Sequence, residues 1–370
     1  MKIGLLGHGV VGRGVTAILD GKYPDLEITK ILVKDLSEGN DPRYTLSAEE
    51  ILNDPEIGMI VECMGGIQPA GSYVLQAMKQ GKHAVTSNKK MLASLLEEIL
   101  AASSEHHVQV RFEASCGGGI PWIHELEHIR RIDEITGFRG IMNGTTNYIL
   151  SAMHENGTDF AEALKQAQKL GYAEQDPSDD IDGMDVRYKC CISLFAACGL
   201  VISPDLIPAF GIRHIHASDA AWAKQHDCVI KLIGEGSPQG ACVMPRILKS
   251  NDPMSAVFSN QNRLETDSPT LGVAAFSGQG AGSLPTAHAV VQDILDIARG
   301  CTQMKTEYER IDQTGIFEGT YYISGNGAEA LNLPVNEKGN GFIITEHILL
   351  NDLMQALPEG HALFIAEVCE

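Results

Sequence analysis

An aspartate and a lysine four residues apart, Asp185 and Lys189, precede the apolar run from Cys190 to Leu200. At that spacing both side chains share one helix face, and the plain reading is a helical salt bridge worth only tenths of a kcal/mol. The apolar sequel, however, places the pair on a largely buried helix. A buried lysine needs a carboxylate partner, and such a pair is a candidate for proton transfer. Just upstream, Gly171-Tyr172-Ala173-Glu174-Gln175-Asp176-Pro177-Ser178-Asp179-Asp180-Ile181-Asp182-Gly183 gathers five acids in one loop, which on composition alone reads as a solvated turn. A second cluster, Ser87-Asn88-Lys89-Lys90, follows a predicted strand at its C-terminal end, the edge at which open α/β sheets bind ligands. A lysine there is either a surface cation or a group facing cofactor and substrate.

The N-terminus carries a different signal. Gly7-His8-Gly9-Val10-Val11-Gly12 follows a short apolar strand and opens a helix. In such a fingerprint Gly7 makes the tight turn, Gly9 lets a pyrophosphate approach the backbone, and Gly12 allows helix and strand to pack closely. The helix start then offers peptide N–H groups to the phosphates. The second predicted strand ends in Val33-Lys34-Asp35, where Asp35 would suit the ribose diol of NAD and Lys34 the 2′-phosphate of NADP. Both cofactors stay open. Two further motifs have dull readings that fit better. His124-Glu125-Leu126-Glu127-His128 matches the zinc-protease spacing but lacks the downstream ligands, and it reads as a solvated helix face. Cys116, in Ser115-Cys116-Gly117, is a conceivable thiolate nucleophile at a helix start, yet reads more simply as a small residue in a turn.

The elements that must position these residues alternate in the first third of the chain as βαβ units do. Strands are expected at 2–6, 27–33, 59–63, 83–86 and 109–113, with helices from 10 to 19, 69 to 80 and 90 to 106. After Gly117-Gly118-Gly119 the character changes to α+β: a strand over 135–142, helices from 121, 145, 160 and 183, and short segments over 201–285 broken by prolines. An amphipathic helix returns over 285–298. The fold class is therefore α/β, with a Rossmann dinucleotide-binding domain over 1–125 and 284–303. An α+β substrate-binding and dimerisation domain covers 126–283, and a short α+β tail covers 304–370.

Bulk properties narrow the partners. The chain has 370 residues and a formal net charge of −20, which disfavours nucleic acid and anionic membranes. No stretch is long and apolar enough for a membrane span. The nine cysteines, an odd number with Cys190 and Cys191 adjacent, read as reduced thiols in a cytoplasmic setting rather than as a disulfide framework.

Together these blocks resemble the homoserine dehydrogenase family. The similarity runs over roughly residues 1–300. It rests on the glycine fingerprint, on Gly81-Lys82-His83-Ala84-Val85-Thr86-Ser87-Asn88-Lys89, and on Glu113-Ala114-Ser115-Cys116-Gly117-Gly118-Gly119-Ile120-Pro121. It rests further on Gly140-Ile141-Met142-Asn143-Gly144-Thr145-Thr146-Asn147-Tyr148-Ile149-Leu150, on Leu170 through Lys189, and on Gly278-Gln279-Gly280-Ala281-Gly282 with Pro285-Thr286-Ala287. The resemblance implies interconversion of L-homoserine and L-aspartate 4-semialdehyde with NAD or NADP, on the route to threonine and methionine. It implies Lys189 as proton donor, Glu174 and Asp185 as substrate-binding residues, Asp180 as a further active-site acid, and Lys89 near the nicotinamide. Gly171 and the Gly280-Ala281-Gly282 turn would touch cofactor. Glu113 with the carbonyls of Cys116, Gly118 and Ile120 would hold a structural sodium ion, and the assembly would be a homodimer or higher homo-oligomer. The tail reads as a shortened ACT-like module, strand–strand–helix–strand, with its first helix missing and an Asn/Gly-rich linker in its place.

Overall fold

Six strands, Tyr44–Thr45, Glu27–Leu32, Lys2–Leu6, Ile57–Glu62, His83–Thr86 and Val110–Arg111, lie side by side in that order, and each neighbouring pair is parallel. The order reverses between Lys2–Leu6 and Ile57–Glu62, as in a dinucleotide-binding sheet. These strands are apolar nearly throughout because helices cover both faces of a parallel sheet. Ile3, Leu5, Ile31, Met59, Val61 and Val85 pack with Val15 and Leu19 of helix Val10–Leu19 and with Val290, Val291 and Ile294 of helix Ser283–Ala298.

The computed structural model describes residues 1–301 and 306–369, and the chain divides into two units. One comprises Met1–Glu134, Cys191–Ser203 and Gly278–Arg310; the other comprises Ile135–Cys190, Pro204–Ser277 and Ile311–Glu370. The expected domain boundary near 303 lies outside the described residues.

Two expectations change in the first unit. The helix anticipated over 90–106 is two helices, Lys89–Ser94 and Leu96–His106, interrupted at Leu95 with φ −126° and ψ 24°. Leu95 packs where a Cβ on Gly71 would stand, 2.3 Å from its Cδ1, so the break seats the helix pair on a glycine of the neighbouring helix Ala70–Lys79. The strand expected over 109–113 is cut to Val110–Arg111, and the chain turns at once into a one-turn 3-10 helix, Glu113–Ser115.

The second unit is built on a nine-stranded mixed sheet. Its order is Gly272–Gln279, Gln261–Ser268, Gly137–Ile141, Cys228–Ser237, Gly240–Lys249, Phe364–Val368, Glu318–Ser324, Phe342–Leu349, Val335–Gly339. The proline-broken stretch expected over 201–285 thus contains a ten-residue hairpin pair, Cys228–Ser237 against Gly240–Lys249, in unbroken antiparallel register. Pro245 lies inside a strand. On that strand's other side Val243 bridges Ala209, and Arg246 and Ile247 pair in parallel with Phe364–Val368, so the proline falls between the two pairings.

The tail is part of this sheet and groups with the second unit. Strand Phe364–Val368 pairs in parallel with Gly240–Lys249, and buried Arg246 bonds to both Glu235 and Glu367, the latter at 2.7 Å. The tail also has two strands more than anticipated: Glu309–Arg310, which pairs with Leu200–Val201 outside this sheet, and Val335–Gly339, in the expected linker. The latter is an edge strand, mostly exposed and carrying Glu337 and Lys338, so no apolar alternation announces it.

Candidate active site

In the first unit the glycines do what their positions require. Gly7 has φ +97°, and a Cβ there would meet the carbonyl oxygen of Cys63 at 2.8 Å. A Cβ on Gly12 would stand 2.2 Å from the Gly7 carbonyl oxygen, so helix and strand approach too closely for any side chain. A Cβ on Gly9 would meet nothing within 4 Å. Gly9 is the N-cap of helix Val10–Leu19 and has no side-chain cap, so the helix start is open to a ligand; Val10 there is exposed and Val11 half-buried. This cradle fits a pyrophosphate: donors of a helix start, a positive dipole end, and free space over Gly9. Lys34 and Asp35 follow strand Glu27–Leu32 and are exposed. Asp35 Oδ1 accepts the N–H of Ser37 at 2.8 Å, and that bond holds its carboxyl below the usual range. Lys89 is half-buried at the start of helix Lys89–Ser94, which Asn88 caps by accepting the Met91 N–H at 3.1 Å.

Two glycine-rich motifs far apart in sequence meet in the same unit. Gly118 has φ +60°, and a Cβ on it would lie 2.5 Å from the backbone of Gly280; a Cβ on Gly119 would lie 2.9 Å from Pro285. The spacing of each motif is therefore a condition of backbone-to-backbone packing. Glu113, named above among the expected sodium ligands, uses its side chain to cap a helix. Its Oε1 accepts the N–H groups of Trp122 and Ile123 at 2.6 and 3.1 Å, and its Oε2 accepts that of His124 at 2.7 Å. The carboxyl thus caps helix Trp122–Ile129, where the helix dipole stands in for a cation. It is buried, and burial pushes its pKa up to about 7 against the pull of those donors. Three peptide N–H groups thus occupy the carboxylate, and the other residues expected at a sodium site, Cys116, Gly118 and Ile120, lie on the loop that follows it. Cys116 is 1% exposed, as a turn residue in the core would be. His124 and His128 pack edge to face at 4.9 Å, with His124 Nδ1 3.6 Å from Asp296.

In the second unit Asp185 and Lys189 form a buried ion pair at the start of helix Met184–Cys198. The Lys189 ammonium donates to Asp185 Oδ2 at 2.7 Å and to the Met142 carbonyl at 2.6 Å, with the two side chains 8% and 4% exposed. An exposed i,i+4 pair contributes little, but a desolvated one is costly unless its remaining bonds are made. Asn143 makes them. Its amide donates to Asp185 Oδ2 at 2.8 Å and to Asp180 Oδ1 at 2.7 Å, and its oxygen accepts the Thr146 N–H at 2.8 Å as N-cap of helix Gly144–Asn156. Burial and the neighbouring Asp185 raise the Asp180 pKa, while the Asn143 bond and the Lys189 charge oppose them.

The structure therefore selects among the five loop acids. Asp176 caps its own turn through the Ser178 N–H, and Asp182 forms a two-pronged pair with Arg213 at 2.7 and 2.6 Å. Asp180 bonds to the Asn143 hub. Glu174 is exposed, and no bond of its side chain joins the cluster; its carbonyl accepts from Gln168. Gly171 ends the turn after helix Phe160–Lys169 with φ +77°. The residues whose roles were not anticipated are Asn143 and Met142. An Asn before a helix beginning Gly-Thr-Thr signals an N-cap, but nothing local says that its amide reaches two aspartates some forty residues on.

Models of two families match the chain: homoserine dehydrogenase over residues 121–295, and the homoserine dehydrogenase NAD binding domain over residues 7–113. The chain is 37% identical over 318 residues to a homoserine dehydrogenase of Lactococcus lactis subsp. lactis, covering 81% of this chain and 74% of that protein. It is 40% identical over 316 residues to one of Synechocystis sp., covering 80% and 73%. Among solved structures, a homoserine dehydrogenase from Thiobacillus denitrificans superposes with a TM-score of 0.87 at 27% identity, covering 100% of this chain and 98% of that one.

Proposed function

The chain belongs to the homoserine dehydrogenase family and is an NAD(P)-dependent oxidoreductase interconverting L-homoserine and L-aspartate 4-semialdehyde; from that premise we propose that Lys189 is its proton donor. The carrying observation is the buried Asp185–Lys189 pair, with Asn143 and Met142 satisfying its remaining bonds. The nicotinamide, when bound, supplies the hydride for aldehyde reduction or takes it from the alcohol. Hydride arrival leaves an alkoxide oxygen, which the Lys189 ammonium protonates; in the reverse direction the neutral amine removes the hydroxyl proton. Asp185 and the Met142 carbonyl orient the ammonium, and Asn143 ties Asp185 to Asp180. Glu174, an exposed carboxylate on the adjoining loop, would receive the substrate α-ammonium, a pairing that a neutral aldehyde cannot make.

Gly7, Gly9, Val10, Val11 and Gly12 would hold the dinucleotide, Lys34 or Asp35 its adenosine ribose or 2′-phosphate, and Lys89 its nicotinamide side; Gly171 and Gly280 complete the proposed contacts. No step uses a cation at Glu113, Cys116, Gly118 or Ile120. For the tail, the strand order 364–368, 318–324, 342–349, 335–339 supports an ACT-like βαββαβ module whose first helix is reduced to the 3-10 turn Ala328–Ala330. Nine free cysteines suit a reducing, cytoplasmic setting, and a homodimer completes the proposal. Among the described residues no helix is long and apolar enough to cross a membrane. The test is initial rates of NADPH and NADH oxidation with aspartate semialdehyde. Turnover by wild type, lost in Lys189→Ala while cofactor still binds, supports the assignment; undiminished turnover in Lys189→Ala sinks it.

A further inference from the structure

Outside the groups used above, the first unit holds a fully buried carboxyl, Glu62, where the strand order reverses. It is the last residue of strand Ile57–Glu62, paired with Leu6 of the fingerprint strand on one side and Thr86 on the other. Its Oε2 accepts the Thr86 hydroxyl at 2.5 Å, and its Oε1 accepts the Met64 N–H at 2.7 Å and the Asn88 amide at 3.4 Å. These partners are a hydroxyl, a peptide N–H and a carboxamide, none of them a cation. The Asn88 amide also donates to the Gly66 carbonyl at 2.8 Å, its backbone N–H donates to Thr86 Oγ1 at 3.0 Å, and its side chain caps the helix that begins at Lys89. One carboxyl thus ties together the loop Cys63–Gly66, the end of strand His83–Thr86 and the turn carrying Lys89.

The position matters because a dinucleotide lies across the crevice at the strand reversal. The fingerprint helix and the Lys34–Asp35 strand end take the adenosine side, so the other mononucleotide half falls on the Glu62, Thr86 and Asn88 side. The oxidised nicotinamide ring is cationic and the reduced ring neutral. A carboxyl held only by neutral donors keeps its charge uncompensated, and in a poorly solvated crevice that charge reaches further than in water. Burial raises the Glu62 pKa while the three donors oppose it.

We propose that Glu62 is a positioning residue that sets the Lys89 turn through Asn88 and electrostatically favours the oxidised over the reduced cofactor. The inference rests on the NAD(P) reading, so the first arm of its test is binding of NADP+ and NADPH to the wild type by fluorescence titration at about pH 8, well above the ordinary carboxylate range. Absence of binding of both forms would overturn the cofactor reading and this inference together. The second arm compares Glu62→Gln, nearly isosteric, with Thr86→Val, which removes a hydrogen bond but keeps the carboxyl; thermal unfolding confirms that both fold. Glu62→Gln is expected to weaken NADP+ about tenfold more than NADPH. Thr86→Val is expected to weaken both forms with their ratio unchanged. Equal losses of the two forms in Glu62→Gln, or no loss, would overturn the proposal. A ratio moving as far in Thr86→Val would also overturn it, assigning the effect to hydrogen bonding.

Discussion

The two units prepare their halves of the reaction by opposite means. In the first, the residues that matter for cofactor are largely glycines, and what they contribute is space: Gly12 admits the Gly7 carbonyl, Gly118 admits Gly280, and Gly9 leaves its surroundings open. In the second, the site is an ionic cluster at low exposure, in which Asn143 bonds both Asp180 and Asp185, and Lys189 bonds Asp185 and the Met142 carbonyl. A backbone cradle tolerates error in side chains but not added volume. A buried charge cluster tolerates added volume poorly and lost partners worse, because each lost bond strands a desolvated charge. The difference teaches where each half is vulnerable, and each vulnerability is measurable.

The largest expected effect is Lys189→Ala, which should lower kcat about 10³-fold while cofactor affinity stays near wild type. Steady-state rates with a parallel cofactor titration check this, and a large loss of cofactor binding would erase the contrast drawn here. Asn143→Ala should follow, with kcat down about 10²-fold, because Asp185 and Asp180 lose their shared donor and the ammonium its fixed geometry. A kcat unchanged from wild type would show that Lys189 and Asp185 hold themselves in place.

The glycines sharpen the other side of the comparison. Gly9→Ala is expected to leave the melting temperature unchanged, since its Cβ meets nothing within 4 Å, yet to weaken cofactor binding about tenfold. Gly12→Ala should cost both, with an overpacking penalty of about 1–3 kcal/mol, because its Cβ falls 2.2 Å from the Gly7 oxygen. Calorimetry with and without cofactor separates the two; equal behaviour would mean that the open space over Gly9 is not a ligand site.

The smallest effect is a pH dependence. Glu113 has its folded pKa raised to about 7 from 4.5, so between those values the folded state binds a proton that the unfolded state has lost. Its contribution to stability therefore falls as pH rises from 4.5 towards 7 and levels off above. Glu113→Gln should flatten that part of the melting-temperature profile by a few degrees, measured by scanning calorimetry across the window. A profile of unchanged slope would remove Glu113 as its source.

Much of the first unit was legible from residue types in order. The glycine spacing, the strand ends at Leu6 and Thr86, and helix 10–19 are local facts, set by steric requirements acting over a few residues. The break at Leu95 was not, because it serves the contact with Gly71 on another helix. In the second unit the Asp185–Lys189 spacing and the apolar helix behind it were readable, and so was an acid-rich loop. Residue type alone did not single out an acid, since Asp176, Asp180 and Asp182 are alike in type and differ in what the fold places opposite them; only the family resemblance pointed to Asp180. The edge strand Val335–Gly339 escaped because one exposed face and a polar composition leave no period to detect.

What the sequence by itself determined is the chemistry on offer: a phosphate-binding turn after the first strand, a lysine–aspartate pair on a buried helix, lysines at a strand end, and a mixed second half. Tertiary structure alone decided that Asn143 joins Asp180 to Asp185, that Gly118 lies against Gly280, that Glu113 caps a helix, and that the tail extends the second unit's sheet. The physical reason is range. Steric rules for glycine and helix spacing act between near neighbours and can be read along the chain, whereas desolvated hydrogen bonds and backbone contacts join residues tens to hundreds of positions apart. Their partners exist only once the chain has closed around them.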